Sequence, residues 1–541
     1  MRERNDTILA DMIATRSERA PDHAVVTFEN AGQRDDEVRT YADLWANANR
    51  IAAGLIARGL QRGDRFGLLM RNHPEFIECM IAASITGCVF VPIDPRTRGD
   101  KLAYTLRNSE CRGIVCADYA LAQIADIRAD TPDLEWVAVL ESREEPGSMA
   151  TDAVAGAESL ATMLDAPQRW IDVRLQSPRD PFEIIYSSGT TGDPKGVVCS
   201  NERYGMAVML GVLFDLQPDD RPYTGLSLTH GNAQLMTLAP ALGMQLHATF
   251  SRKFTKSRLW DITRRYHCTL FNLLGGMATA IYSEPPRPDD TDNPVRIVAS
   301  AGMPAGIWEA FEERFNLRVL ECYGAVEGGI AVKPVGVGPV GSFGKPPPTL
   351  EMKIVDDDGN ACPPGVPGEL ISRPLGGEKA EVEYFKNKEA SEKKTAGGWL
   401  RSGDVCHCDA EGWFFFDYRK GGGIRHNGDF VNPGFVEKAV AEHPMVDDVF
   451  VYGVPAASGA PGEKDVVAAL VPTDPADFDP ASVFETCRAR LEANFVPSYL
   501  QVVDEIPKTA SEKPQERLLL DRFAPDGDGV HHDAPRKAAA R

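Results

Sequence analysis

Between residues 41 and 116 the apolar positions change period several times. Tyr41, Leu44, Ala48, Ile51, Ala52, Leu55 and Ile56 recur at helical spacing. Phe66-Gly67-Leu68-Leu69-Met70 is an apolar run of strand length. Pro74 to Ile85 reads as a helix with proline in its first turn. Cys88 to Val91 reads as a strand closed by Pro92, Lys101 to Leu106 as a helix, and Gly113 to Cys116 as a strand again. Strands alternating with helices predict right-handed crossovers and a parallel sheet.

The alternation resumes at Phe182-Glu183-Ile184-Ile185-Tyr186, a strand that runs straight into a Gly/Ser/Thr loop. Leu259 to Tyr266 and Gly306 to Phe315 read as helices, and Val295 to Ser300 as a strand. From about residue 335 glycine and proline become dense. Short alternating runs appear there, such as Met352 to Val355 and Glu369 to Ile371, and Asp356-Asp357-Asp358-Gly359-Asn360 is a turn signal. This is a β-rich stretch of hairpins. Gly421-Gly422-Gly423 is the candidate hinge, because glycine absorbs large backbone rotations at little cost. After it, Val436 to Ala441 and Val483 to Asn494 read as helices, and Val449 to Val454 and Val466 to Val471 as strands, giving a small α+β unit. The polar tail from Pro525 is expected to be disordered.

Composition narrows the function. The 541 residues are 43% hydrophobic and 25% charged, an ordinary globular balance that excludes a coiled coil or a disordered chain for the bulk. Lys plus Arg is 58 and Asp plus Glu 79, so the formal charge of −21 disfavours nucleic acid and anionic membrane as partners. Cys79 to Val91, the longest apolar stretch, is too short for a membrane span. The charged N-terminus lacks a signal-peptide core. Eleven scattered cysteines without a CxxC pair fit reduced thiols and a cytoplasmic setting. Cys406-His407-Cys408 lacks the second ligand pair of a zinc site and reads as an alternating strand. His531-His532 reads as solvated.

The strongest chemical signal is YSSGTTGDPKGV, Tyr186 to Val197. Gly189, Gly192 and Gly196 free backbone N–H groups, and Ser187, Ser188, Thr190 and Thr191 add hydroxyls around one cation, Lys195. Together these make an anion cradle suited to phosphate. The glycine spacing, and Gly196 after the lysine, are not those of a Walker P-loop.

This loop resembles the signature of the adenylate-forming enzymes: acyl-CoA synthetases, peptide-synthetase adenylation domains and beetle luciferases. The resemblance runs from about residue 20 to 520 and recurs in family order at Leu226 to Gln234 (LSLTHGNAQ), Tyr323 to Glu327 (YGAVE), Arg401 to Asp404 (RSGD), Gly412 to Glu437 and Pro507 to Lys513 (PKTASEK). It implies an α/β fold. A large N-terminal domain of parallel sheets would span 1–418, including the β-rich subdomain from about 335. A small mobile α+β domain would span 419–524, with 525–541 as the disordered tail.

The resemblance also implies the chemistry. A carboxylate attacks the α-phosphorus of ATP, pyrophosphate leaves, and coenzyme A then displaces AMP from the acyl-adenylate. Lys513 would bridge the carboxylate and the α-phosphate, and Glu327 would hold Mg²⁺. Ser187, Ser188, Gly189, Thr190, Thr191, Gly192 and Lys195 would cradle phosphate. Tyr323 and Gly324 would line the adenine site, Asp404 would accept from the ribose hydroxyls, and Arg419 would assist. His230, Gly275, Gly276, Ala301 and Gly302 would line the acyl pocket, with His230 beside the reaction; the ordinary reading of His230 alone is a satisfied core histidine. Gly302 would also touch the nucleotide. Gly423, Arg425 and Gly428 would face coenzyme A, and Gly421 would be the hinge.

The sequence departs from the family at four places. Val326 stands where a threonine hydroxyl is usual, Gly421 where Asp or Lys is usual at the hinge, and Tyr418 and Glu512 where glycines precede Arg419 and Lys513. These departures raise the alternative that adenylation is impaired and a partner enzyme supplies acyl-AMP. Two other readings are an adenylation enzyme serving a separate carrier protein and a non-catalytic nucleotide-binding relative. Retention of Lys195, Glu327, Asp404 and Lys513 together argues against the last. The leading expectation is an AMP-forming acyl-CoA ligase. Its acid is expected to be bulky, of terpenoid or steroid type, in catabolism or secondary metabolism.

Overall fold

A computed structural model describes residues 3–142, 148–187, 194–282, 284–356, 358–419, 424–427, 429–431, 433–460, 463–507, 514 and 516–533. The chain divides into two compact units. The larger comprises Met1–Pro95, Ala103–Ser187 and Lys195–Tyr418, and the smaller the residues from Arg419 onward together with Arg96–Leu102.

Two large sheets organise the first unit. Numbered along the chain, its first nine strands are β1 (Ala24–Glu29), β2 (Glu37–Thr40), β3 (Arg65–Leu69), β4 (Val89–Ile93), β5 (Cys111–Ala117), β6 (Trp136–Leu140), β7 (Ala157–Ser159), β8 (Pro181–Ser187) and β9 (Lys195–Ser200). Strands β3 to β9 form a seven-stranded sheet in the order β7-β6-β5-β3-β4-β8-β9, in which β9 is the antiparallel member. Next come β10 (Pro222–Thr224), β11 (Ala248–Ser251), β12 (Leu270–Leu274), β13 (Ile297–Ala301), β14 (Arg318–Ala325) and β15 (Gly328–Lys333). These join β1 and β2 in an eight-stranded sheet, β15-β14-β13-β12-β10-β11-β1-β2, parallel except at its two edges. A third sheet of five holds β16 (Ser342–Gly344), β17 (Leu350–Val355), β18 (Gly368–Pro374), β19 (Leu400–Cys408) and β20 (Phe414–Arg419) in the order β16-β20-β19-β18-β17.

The helical period between 41 and 56 becomes the helix Tyr41–Ala57. Thr40 and Asp43 close its N-terminus as a capping box, and Leu44, Ala48, Ile51, Ala52 and Leu55 line its buried face. Helix Pro74–Thr86 is buried along its whole length and stops at Gly87, whose φ of +72° suits glycine.

Some predicted ends move. Strand β4 is not closed by Pro92 but runs through it to Ile93. Its pairing with β8 lies at Phe90↔Glu183, two residues earlier, so the missing N–H breaks no ladder bond on that side. The strand expected from Val295 starts at Ile297, because the Asn293 side chain takes the Val295 N–H at 3.0 Å. The helix expected from Gly306 opens as a 3₁₀ turn, Ala305–Ile307, and becomes α-helical at Trp308.

The smaller unit opens with a hairpin of β21 (Ile424–His426) and β22 (Asp429–Val431). It continues through helix Pro433–Ala441, β23 (Val446–Pro455), β24 (Lys464–Pro472), helix Pro480–Arg490 and β25 (Tyr499–Val502) to β26 (Val530–His532). Its sheet order is β23-β24-β25-β26. Val436, Val440, Val466, Val483 and Cys487 form one core, and Tyr452, Val467, Ile506 and Leu519 another.

Two expectations fail here. The helix read to Asn494 ends at Arg490, where Leu491 turns extended at ψ 155°. The tail is not disordered throughout. After Pro525 the chain returns as β26 and pairs antiparallel with β25, Leu500 opposite His531. Arg488 holds Asp533, and the His532 ring stands edge-on to Tyr499 at 4.8 Å. Strand β25 would otherwise present an unpaired edge, which these residues cover.

Candidate active site

Strand β8 brings Ser187 opposite Lys195, the first residue of β9. Of the loop between them, Ser188, Gly189, Thr190, Thr191 and Gly192 lie outside the described residues, so only its two ends have structural neighbours. At the β9 end the Lys195 ammonium lies 5.5 Å from the centre of the Tyr384 ring. The Tyr384 hydroxyl donates to Glu327 Oε1 at 2.9 Å, and Lys394 Nζ lies 3.8 Å from the same oxygen. One tyrosine therefore joins the lysine of the anion loop to the acid expected to hold a cation. Tyr384 was not among the sequence candidates. Its only trace there is an aromatic pair, Tyr384-Phe385, in an otherwise charged stretch.

Glu327 is buried in the tight turn between β14 and β15. Gly328 and Gly329 follow it at φ +133° and +75°, values an L side chain rarely adopts. Beside the turn, Tyr323, Glu327, Leu370, Lys394, Leu400 and Ser402 line a small cavity of about 10 Å³. Neighbouring Val326 is used for packing. Its side chain joins Ile185, Val197 and Tyr384 in a small apolar cluster, while its carbonyl accepts from Arg203.

Tyr323 on β14 donates its hydroxyl to Asp404 Oδ2 at 2.6 Å, and its ring packs on Phe343 at 4.8 Å. Burial and the Asp404 charge push the phenol well up from its ordinary range. Asp404 is itself buried, and its N–H is tied to Ser402 Oγ at 2.9 Å. The adenine and ribose candidates thus sit together on adjoining sheets. Gly324 continues β14, and Arg419 ends β20.

Ala301 ends β13, and Gly302 follows at φ +96°. Glu321, another residue the motifs did not single out, fixes this corner. Its carboxylate takes the Gly302 N–H and, at 3.1 Å, the Met303 N–H. Burial pushes the Glu321 carboxyl up to about 7, against those two N–H donors and nearby Lys333. The only sign in the sequence is an acid inside the apolar run Val319-Leu320-Glu321-Cys322.

Gly275 and Gly276 open the helix Gly275–Tyr282 directly after β12. His230 is not a core histidine. Its side chain is 58% exposed, and Nε2 lies 3.5 Å from Asp94 Oδ2 just past β4. The chain then enters a π-helix, Asn232–Leu238, a rare form frequent at functional sites. Asn272 on β12 binds this segment twice, accepting from Thr237 Oγ1 at 3.1 Å and donating to Asn232 Oδ1.

In the smaller unit Arg425 on β21 bonds Glu463 at 3.1 Å. Gly421, Gly423, Gly428 and Lys513 lie outside the described residues. Cys406 is buried and His407 pairs with Asp417 at 2.9 Å, as an alternating strand requires. All eleven cysteines are free, and no metal-holding cluster occurs among the described residues. No described helix is long and apolar enough to cross a membrane.

Comparison with known proteins gives this geometry its family. The family model described as AMP-binding enzyme matches residues 13–376, and that described as AMP-binding enzyme C-terminal domain matches 436–513. The chain belongs to the AMP-binding enzyme family. Among relatives of this AMP-binding enzyme, the medium/long-chain-fatty-acid–CoA ligase FadD17 of Mycobacterium marinum is 31% identical over 503 residues, 92% of this chain and 94% of that protein. The crotonobetaine/carnitine–CoA ligase of Salmonella choleraesuis is 28% identical over 486 residues, covering 88% and 91%. The fold resembles o-succinylbenzoate CoA synthetase (MenE) of Bacillus subtilis, with a TM-score of 0.77 at 21% identity, covering 94% of this chain and 98% of that one. It also resembles the amide bond synthetase McbA of Marinactinospora thermotolerans, with a TM-score of 0.76 at 23% identity, covering 94% and 99%.

Proposed function

We propose that this AMP-binding enzyme activates an acid with an extended aliphatic body, closer to a medium- or long-chain fatty acid than to a polycyclic one. The chain is an acyl-CoA ligase that makes its thioester through an acyl-adenylate, and relatives named as CoA ligases match it over nine-tenths of its length. That full-length match supports one chain carrying both half-reactions with coenzyme A as acceptor. It lends no support to a separate supplier of acyl-AMP or to a carrier protein. The structural observation that carries the reading is the convergence of Lys195 and Glu327 on Tyr384.

The first half-reaction joins two anions, so charge must be neutralised where the bond forms. Lys195 and the hydroxyls from Ser187 to Thr191 meet the β- and γ-phosphates. Asp404 accepts from the ribose, and Tyr323 keeps that carboxylate aimed. Glu327 fits Mg²⁺, which binds through one or two carboxylates plus substrate phosphates and needs no cage of protein ligands. When bound, the ion offsets phosphate charge as a Lewis acid. The substrate carboxylate attacks the α-phosphorus and pyrophosphate leaves, with Lys513 paired to the oxygens that gain charge. The coenzyme A thiolate then attacks the acyl carbonyl and AMP leaves. The acid class follows from the FadD17 likeness, and the cytoplasm is the compartment that free thiols favour.

Pyrophosphate release tests the reading. With ATP, release should be faster for straight-chain acids than for steroid or carnitine-type acids. Lys513→Ala should lower it by about 10²–10³-fold, the usual loss of a transition-state charge partner. Thioester formation from synthetic acyl-AMP and coenzyme A should change only a few fold by comparison. Release unaffected by Lys513→Ala would remove the lysine's role, and preference for the polycyclic acids would remove the acid class.

A further inference from the structure

Asn72 stands between the end of β3 and helix Pro74–Thr86, and the chemistry above does not use it. It is fully buried, and Leu228 and Ser251 beside it are buried too. Its Nδ2 donates to Leu226 O and to Ser251 O, each at 2.8 Å, and its Oδ1 accepts from the Leu228 N–H at 2.8 Å. Both amide hydrogens and the amide oxygen are therefore spent on backbone groups. A flipped amide would set its oxygen against two carbonyls, so only this orientation fits. Arg252 donates to the Asn72 carbonyl and fixes the residue's own backbone as well.

The three partners belong to the other large sheet and the chain that leaves it. Ser251 ends β11, and Leu226 lies two residues past β10. Leu226 and Leu228 flank Ser227, so one side chain grips the backbone on both sides of that residue. Residues 226–230 belong to no strand or helix, and their backbone groups need partners from elsewhere. Local bonds carry the constraint onward. Ser227 O accepts from the His230 N–H at 3.1 Å, the Thr229 N–H donates to Ser227 Oγ at 3.2 Å, and Leu228 O accepts from Gln234 Nε2 at 2.8 Å. His230 meets the seven-stranded sheet a second time at Asp94, just past β4, the neighbour of β3.

We propose that Asn72 sets the path of residues 226–230 and so fixes where His230 stands in the acyl pocket. The proposal rests on the acyl-CoA ligase reading, in which His230 borders the acid. Strand β8, in the same sheet as β3, ends at the phosphate loop. Asn72 thus refers the acyl side of the site to the sheet that carries its phosphate side, and a primary amide is the group the place requires. A carboxylate could accept from Leu228 but offers nothing to two carbonyls, and an alkyl side chain would leave all three backbone groups unmet. Asn72 touches neither substrate. It is a positioning residue, acting through the segment it holds.

Two variants separate positioning from packing. Asn72→Asp keeps the size and the acceptor for Leu228 but supplies at most one of the two donors. Asn72→Ala removes all three bonds. In pyrophosphate release Asn72→Asp should raise the KM for the acid by about tenfold, the size of one lost buried hydrogen bond, and Asn72→Ala by at least as much, while the KM for ATP stays within about twofold. A readout without substrate keeps the tie apart from the ligase reading: by hydrogen exchange the Leu228 amide should be protected in wild type and in Asn72→Asp, and should exchange freely in Asn72→Ala. Free exchange at Leu228 in wild type overturns the proposal, and so does protection that survives in Asn72→Ala. An acid KM unmoved in both variants, or the two KM values rising together, overturns it too. Failure of both variants to fold has the same force, because Asn72 would then hold the fold and not the pocket. If no acid supports turnover, exchange still decides the tie, and only the ligase reading falls.

Discussion

Strands β3 to β6 and the segments around β8, β13 and β14 are built from similar runs of apolar residues, yet they do different work. In β3 to β6 the inward positions are apolar, and every change of period marks an element boundary. Phe66, Leu68, Val91, Ile114 and Val137 are buried without a polar partner to satisfy. In β8 and β14 an acid interrupts the run, Glu183 in one and Glu321 in the other; both are buried, and Glu321 holds the corner at Gly302 and Met303. A buried carboxyl is costly unless its hydrogen bonds are met. Glu321 therefore holds a corner of the chain in place through its two N–H donors.

The largest effect expected from this contrast lies on the fold side. Phe66→Ala empties a fully buried site beside Trp136, 6.5 Å away. It should cost about 3–5 kcal/mol of stability. Urea unfolding should show the loss, while the KM for ATP of the folded fraction stays as it was. A shift in nucleotide affinity of more than a few fold would mean that the two regions are not separable.

Glu321→Gln sharpens the same contrast from the site side. The amide offers one acceptor to two N–H donors, Gly302 and Met303. One buried N–H goes unmet, a loss of about 1–3 kcal/mol. Here stability and the KM for ATP should move together if Gly302, one of the residues released, touches the nucleotide as proposed. A normal KM for ATP in a destabilised Glu321→Gln protein would place Glu321 with Phe66 instead.

The fold was legible because its signals are local. The helical period of 41–56, the apolar run of 66–70 and the turn at Asp356 each lie within one window of chain, and each forms about where the pattern put it. Lys195, Glu327, Tyr323 and Asp404 were legible as motifs; in the structure Lys195 and Glu327 both meet Tyr384, and Tyr323 bonds Asp404. What stayed hidden joins positions far apart in sequence. Tyr384 reaches Glu327 across 57 residues and Glu321 reaches Gly302 across 19, and no periodicity couples such positions. The tail from Pro525 was misread for a related reason. Its composition is polar, and only the open edge of β25, absent from that stretch of sequence, makes it a strand.

The smallest expected effect is a pH dependence on the fold side, at His247. Arginine can only donate, so Arg221, 3.0 Å from Nδ1, makes that nitrogen the acceptor and leaves the proton on Nε2, which donates to Thr27 Oγ1 at 2.7 Å. A second proton would set an N–H against a guanidinium. Burial, joined by the Arg221 charge, accordingly pushes the imidazole down to about 4. The unfolded chain binds a proton near pH 6.5 that the folded protein refuses until about pH 4, so stability should fall as the pH drops through that window and stay flat above it. His247→Asn keeps an acceptor and a donor but takes up no proton. It should cost about 1 kcal/mol at neutral pH and reduce the fall in urea midpoint toward pH 5. An equal fall in both proteins would assign the acid sensitivity to other groups and leave His247 as packing alone.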